Sequence, residues 1–375
     1  MNEVVLVSGD FERTGGMDMA NFALAEHLAD RGGSVQLVAY RVADELAKRS
    51  NVRWRKVPKP LRSYFLGAPL LDRTGRKVGR RTLSGGGRVI VNGGNCQIGD
   101  VNWVHYVHAA YEPVSSEAGW RGAKSELTRR LNVERERSAV RAARLLVANS
   151  QRTRHDLMRY LGVDDTRIRT VYLGIDSTRF LPPTEQRRRQ LREDFGWADR
   201  PQVVFIGALG DRRKGFDTLF AAWRTLCRDS TWDCDLVVIG RGAELEAWRQ
   251  RARAEGVSGR IRFLGFRKDV PQVLAACDAL VAPTRYEPFG LGVQEALCTG
   301  LPALVSEHAG VAELYPAELS ELLLQDVTSP VSLEAKLRNW RKHHERLSAA
   351  TRAYSVRLRD RTWQVMAEEI RAAIQ

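Results

Sequence analysis

Cysteine is scarce in this chain and poorly placed for cross-linking. The five residues, Cys96, Cys227, Cys234, Cys277 and Cys298, are odd in number, scattered, and form no C-x-x-C pair. Neither a disulfide framework nor a cysteine-built zinc site is indicated, and a reducing compartment is expected. Long apolar runs are missing too: no stretch approaches the roughly 20 apolar residues that a membrane-spanning helix requires. The opening MNEVVLVSGD carries an acidic residue where a secretory leader carries basic ones, and its apolar run is too short for a leader core. The expectation is a soluble, cytoplasmic protein that still has the means to sit peripherally on the inner face of a membrane. No G-x-x-x-x-G-K-[ST] loop occurs, which excludes a P-loop ATPase in its standard form.

Lysine is rare as well: nine of the 59 basic residues are lysine and the other 50 are arginine. The arginine bias runs through the whole chain, as a general compositional preference would produce, but the net charge of +14 is uneven. Residues 41 to 88 hold 14 cations against only Asp44, Glu45 and Asp72. Embedded there is PLRSYFLGAPLL, an apolar and aromatic segment flanked by cations, a composition suited to an anionic membrane surface or an anionic acceptor. Nucleic acid is not expected, because no zinc-finger, RNP-type or helix-turn-helix pattern accompanies the charge.

At 375 residues and 43% hydrophobic, the chain is long enough for two cores, since single cores seldom grow past about 250 to 300 residues. Strand-like apolar runs alternate with amphipathic segments. VVLVS (4 to 8) is followed by a glycine-bearing loop and the helical pattern MANFALAEHLADRG; SVQLVAY, RVIVNG, VNWVHYVH (101 to 108) and RLLVANS read as further strands. Ser150 is placed to cap a helix QRTRHDLMRYLG. The segment TVYLGIDSTRFLPPTEQRRRQL, with its paired prolines, reads as a hinge. A second series follows it: QVVFIG, DLVVIG, IRFLG, ALVAP and PALVS, with helical stretches between. The predicted fold class is therefore α/β, two facing doubly wound Rossmann-like domains with a ligand cleft between them. Residues 1–178, completed by a helix over 355–375, form the first domain, and 179–354 the second.

Several loops at strand ends carry residues suited to an anion. Gly15 and Gly16 precede the first helix and let a ligand approach the backbone. Arg212, Arg213 and Lys214 stand beside Gly215 at another helix start, where cations oppose the macrodipole unless an anion is present. Gly240 and Gly242 mark a third strand end. Most informative is RYEPFGLGVQEALCTGLPALVSEHAG (285 to 310), which sets Glu287 and Glu295 on either side of a glycine-bearing helix start. Free N–H groups and a positive dipole end suit a phosphate, and flanking glutamates suit hydroxyl-rich groups. VNWVHYVHAAY offers His105 and His108; read as one strand, their spacing puts them on opposite faces, and His108 is preferred because it lies nearer the carboxyl end.

Taken together, TGG, VANSQRTRHDL, VYLGIDSTRF, KGFDTL, VVIGRGAEL and AACDALVAPTRYEPFG, with E-x7-E at Glu287 and Glu295, make the chain resemble retaining glycosyltransferases of the GT-B fold, family 4 (glycosyl transferases group 1). The resemblance implies transfer of a hexosyl group from a nucleoside diphosphate sugar, UDP- or GDP-linked, to a hydroxyl of a glycan, glycolipid or small metabolite. It implies that Glu295 holds the ribose, that Glu287 contacts the donor sugar, and that amides around Phe289, Gly290 and Leu291 meet the sugar and distal phosphate. Lys214 then neutralises the departing diphosphate, Gly16 lets its loop close over it, Phe266 and Arg267 line the base, and His108 lies near the sugar. No cofactor or metal is expected, since no D-x-D stands in a convincing strand-end loop. One departure stands out: relatives carry an arginine where this chain has Ala208, which leaves Arg212 or Arg213 to supply the charge. The competing expectation is a catalytically impaired GT-B protein that binds an anionic surface or polyanion.

Overall fold

The computed structural model describes residues 3–111 and 120–375. The chain forms two compact units: the residues up to Gly174 together with Thr362–Gln375, and Ile175–Arg361.

The first unit is built on a seven-stranded, all-parallel sheet. Its order is Val52–Lys56, Val35–Ala39, Val4–Val7, Arg88–Asn92, Val101–Val104, Leu145–Ala148, Ile168–Thr170. Strands buried on both faces need continuous apolar runs, and Val4–Val7, Val101–Val104 and Leu145–Ala148 are buried throughout. Helix Gly16–Asp30 buries Phe22, Leu24 and Leu28, and helix Gln151–Leu161 starts where Ser150 accepts the Thr153 amide at 2.9 Å and stops at left-handed Gly162. The closing segment is not one helix over 355–375. His344–Leu358 ends, and a separate helix Trp363–Ile374 begins after Thr362 caps Val365. The second helix returns to the first unit, burying Trp363, Met366 and Ile370, with His27 Nε2 3.0 Å from Glu368.

The second unit holds a six-stranded parallel sheet in the order Ile261–Gly265, Asp235–Ile239, Gln202–Ile206, Ala279–Ala282, Ala303–Ser306, Leu323–Leu324. In both sheets the order runs outward from the first strand and then reverses to the fourth. In such doubly wound sheets the loops that diverge at this reversal, beyond the strands' carboxyl ends, leave a crevice for a ligand. In the second unit they follow Ile206 and Ala282. All five cysteines are free, and no helix among the described residues is long and apolar enough to cross a membrane.

Candidate functional site

The two loops at the second unit's reversal point are pressed together by a glycine. Asp211 accepts the Arg213 amide at 3.0 Å and caps the short turn Arg212–Lys214. Gly215 then takes φ of +71°, and a Cβ there would lie 1.9 Å from the carbonyl oxygen of Pro283. That approach puts Lys214 Nζ 2.6 Å from Glu287 Oε2 and Arg213 Nη1 4.0 Å from Glu287 Oε1. Arg212 turns elsewhere, to Glu244 at 3.4 Å and Asp217 at 3.7 Å. Of the two arginines left open by Ala208, Arg213 is therefore the one beside the Lys214–Glu287 pair.

Arg285 braces the arrangement, a role the sequence did not disclose. Its guanidinium reaches Asp217 through two contacts of 2.8 Å and Thr218 at 3.0 Å, while its amide donates to Arg213 at 2.8 Å. Burial opposes the charge of Asp217, and Arg285 outweighs it, holding the carboxyl below its ordinary range.

Glu287, Phe289 and Gly290 are clamped on the turn at Gly310. The Glu287 carbonyl accepts the Gly310 amide at 3.0 Å, and the Phe289 carbonyl accepts Val311 at 2.7 Å. Gly290 has φ of +110°, and a Cβ would press on Val311 at 2.9 Å. Helix Leu291–Cys298 opens there; the amides of Leu291 and Gly292, in its first turn, have no carbonyl four residues back inside the helix. Glu295 is one turn in and half-buried. Burial pushes its carboxyl up to about 8, and Arg179 only partly offsets the shift.

Gly240 and Gly242 serve the chain itself. Cβ atoms there would lie 1.8 Å from the Gly207 carbonyl oxygen and 1.7 Å from that of Leu209, so these glycines let the 207–210 loop close on its neighbour. Phe266 is exposed, with Arg241 5.2 Å from its ring. Arg267 pairs with Asp269 at 2.7 Å.

In the first unit, Gly15 sits at φ of +83° and Gly16 opens the helix. Beside them Asp10 is buried; burial works against its charge, but Arg41 at 2.8 Å and Tyr64 at 2.7 Å hold its carboxyl below the ordinary range. The Asp18 carboxyl is pushed up to about 6 by burial and by Asp10.

The histidines correct the expected strand 101 to 108. The strand ends at Val104 and His108 begins a short turn, His108–Ala110, so the alternation argument does not apply. His105 is a core residue: its ring packs 4.3 Å from Trp103, its Nε2 has no partner, and burial drives its pKa down to about 3. His108 is half-exposed and held by the fully buried Glu136, whose Oε1 is 3.0 Å from the ring Nδ1 and accepts the His108 amide at 2.9 Å. Glu136 escaped sequence reading because it lies 28 positions away on another helix. Among the described residues no group of three or more His, Cys, Asp or Glu is arranged to hold a metal ion.

Two family profiles match the chain: Glycosyltransferase Family 4 over residues 14–179 and Glycosyl transferases group 1 over residues 200–340. An alpha-D-kanosaminyltransferase of Streptomyces kanamyceticus is 28% identical over 203 residues, 53% of this chain and 52% of that protein. A lipopolysaccharide core biosynthesis mannosyltransferase, LpsB, of Rhizobium meliloti is 32% identical over 184 residues, 47% of this chain and 48% of that protein. The chain spans about half the length of the curated relatives it matches. Among solved structures, WaaG, a glycosyltransferase involved in lipopolysaccharide biosynthesis, superposes with a TM-score of 0.77 at 18% identity, covering 99% of both chains. Anabaena HepE in complex with UDP-glucose gives 0.73 at 18% identity, covering 99% of this chain and 98% of that one. These likenesses establish the fold, GT-B.

Proposed function

Because the chain belongs to the family 4, group 1 glycosyltransferases, we propose that it moves a hexosyl group from a UDP- or GDP-sugar to a hydroxyl of an acceptor, with retention of the anomeric configuration. The observation that carries this reading is the meeting of Lys214, Arg213 and Glu287 at the open start of helix Leu291–Cys298. Two cations and free helix amides converge where a diphosphate leaving group needs neutralising. Glu287 contacts the sugar, Glu295 accepts from ribose hydroxyls, and Phe289, Gly290 and Leu291 present backbone to the sugar and distal phosphate. Phe266 and Arg267 take the base, and Arg213 supplies the charge that Ala208 lacks.

His108, oriented by Glu136, is assigned to the sugar-transfer step, and the Gly15–Gly16 turn to backbone contact with the donor. The leaving diphosphate accepts the acceptor's proton, so no protein base is required. The reaction uses no metal: lysine, arginine and the helix dipole do the electrostatic work. The acceptor is a hydroxyl compound that is anionic or lipid-linked, a choice favoured by the cationic 41–88 region. A thermal-shift screen against UDP-, GDP- and ADP-sugars, followed by mass spectrometry of donor turnover with and without a chelator, tests the reading. NMR of the product's anomeric proton decides retention. A chain that neither binds nor consumes any of these donors is instead a non-catalytic binder.

A further inference from the structure

The helix Tyr64–Ser84 lies on the first unit's sheet through glycines. Gly67, Leu71, Gly75 and Gly79 form its buried face, and Cβ atoms would meet Tyr40 at 2.9 Å from Gly67, Cys96 at 2.8 Å from Gly75, and Ile98 at 2.5 Å from Gly79. This close seating fixes which face looks outward. At about 100° per residue the opposite face carries Leu66, Pro69, Arg73, Lys77 and Arg80. Arg73, Lys77 and Arg80, with Arg62 just before the helix, form no ion pair among the described residues. The helix's one carboxylate, Asp72, is committed to Arg76 at 2.7 Å.

The helix's leading end is apolar and outward. Leu61 is 91% exposed, and Tyr64, Phe65 and Leu66 are between 42% and 54% exposed. Leu61 and Arg62 adopt φ of +49° and +55°, the only non-glycine residues with positive φ among those described. Adjacent residues with side chains pay a steric cost in that region, of order 1 kcal/mol or more each, and here the outcome is a leucine held in solvent. Lys59 Nζ stands 3.7 Å from the Tyr64 ring centroid, giving an aromatic with a cation over its face. The rest of PLRSYFLGAPLL does not share this exposure: Gly67 and Leu71 are in the core, so the surface is narrower than the sequence segment.

We propose that this surface docks on an anionic lipid bilayer: Leu61, Phe65 and Leu66 enter the interface while Arg62, Arg73, Lys77 and Arg80 lie along the headgroups. Charge complementarity selects the occupant, because an apolar tip continuous with an unneutralised cationic stripe needs a partner that is apolar below an anionic surface. The tip also has a functional position. The helix follows strand Val52–Lys56 and precedes Arg88–Asn92 in a parallel sheet, so it starts at the sheet's carboxyl edge, where ligands bind. Tyr64 ties that start to Asp10, in the short strand Asp10–Phe11 that follows the first strand. A lipid-linked acceptor would be presented at that edge; this last step rests on the function proposed above, while the docking does not.

Co-sedimentation of the full chain with vesicles tests the docking independently of donor chemistry. With equal parts phosphatidylglycerol and phosphatidylcholine the protein is expected in the pellet, and with phosphatidylcholine alone in the supernatant. The double substitution L61D/F65D is expected to reduce binding at least about tenfold, as is the triple charge reversal R73E/K77E/R80E. All five residues are exposed, so unchanged thermal unfolding is expected and is measured alongside. The proposal is overturned if wild type ignores the anionic vesicles, or if L61D/F65D binds them as wild type does.

Discussion

Lys214 Nζ and Glu287 Oε2 are 2.6 Å apart although 73 positions separate them in sequence, and on the function proposed above the pair occupies the ground a diphosphate would claim. The carboxylate competes with an incoming phosphate for the ammonium. Glu287→Gln is therefore expected to tighten binding of free UDP or GDP by roughly three- to tenfold, the size of one partly screened charge contact, while lowering transfer from the intact donor. Lys214→Met is expected to weaken the nucleotide by a similar factor and to slow transfer further, because charge on the leaving group grows in the transition state. Calorimetric titration with the nucleotide, beside turnover of the donor, separates the two. Equal losses of binding and turnover in Glu287→Gln would contradict the competition.

On the function proposed above, Glu295 makes donor binding depend on pH. Burial pushes its carboxyl up to about 8, and ribose hydroxyls donate more strongly to the ionised form than to the acid. Affinity is therefore expected to rise up to about tenfold per pH unit between roughly 6.5 and 8 and to level off above, with a proton released on binding at pH 7. Titrations in two buffers of different ionisation enthalpy count that proton, and Glu295→Gln abolishes it. The linkage also acts on folding. A carboxyl whose folded value lies above its ordinary 4.5 contributes stability that is full below 4.5 and is lost as pH rises towards 8. Glu295→Gln is expected to melt higher than wild type at pH 9 in the absence of nucleotide.

Both doubly wound sheets were legible in the sequence because parallel strands buried on two faces read as continuous apolar runs; QVVFI, DLVVI and ALVA became strands almost to the residue. VNWVHYVH misled because Tyr106 and Val107 continue the apolar pattern past Val104, while burial of His105 depends on tertiary neighbours such as Trp103. Within the site, loop glycines and cations could be read from type and spacing. Their pairings could not: Arg213 rather than Arg212 meets Glu287 because Asp211 caps the turn and Gly215 folds against Pro283. Arg285 and Glu136 were invisible because each acts across a distance in sequence that no local pattern encodes.

Gly215 is where local geometry supports the site most directly. Gly215→Ala would strain a left-handed residue and drive a Cβ to 1.9 Å from Pro283, so a loss of more than about 2 kcal/mol is expected, together with loss of nucleotide binding. Gly32 is a matched control: its φ is +75°, yet nothing lies within 4 Å of its Cβ position. Gly32→Ala is expected to cost only the conformational part, about 1 kcal/mol, and to bind nucleotide normally. Urea melts of the two variants compare them directly.

The two histidines should separate stability from transfer. His105 is buried neutral with its pKa near 3, so its contribution to stability is full above 6.5 and falls away as pH drops from 6.5 towards 3, by about 1.4 kcal/mol per unit. His105→Phe is expected to flatten acid unfolding in that window and to leave donor turnover within about twofold. His108→Ala is expected to do the reverse, keeping the acid-unfolding profile and lowering transfer by about ten- to a hundredfold. Glu136→Gln keeps the shape of the turn but withdraws the carboxylate from His108 Nδ1; it should reproduce part of the His108 defect with less effect on nucleotide affinity. Acid-unfolding curves and donor turnover for the three variants decide it. A His105 variant that loses transfer while His108→Ala retains it would reverse the assignment.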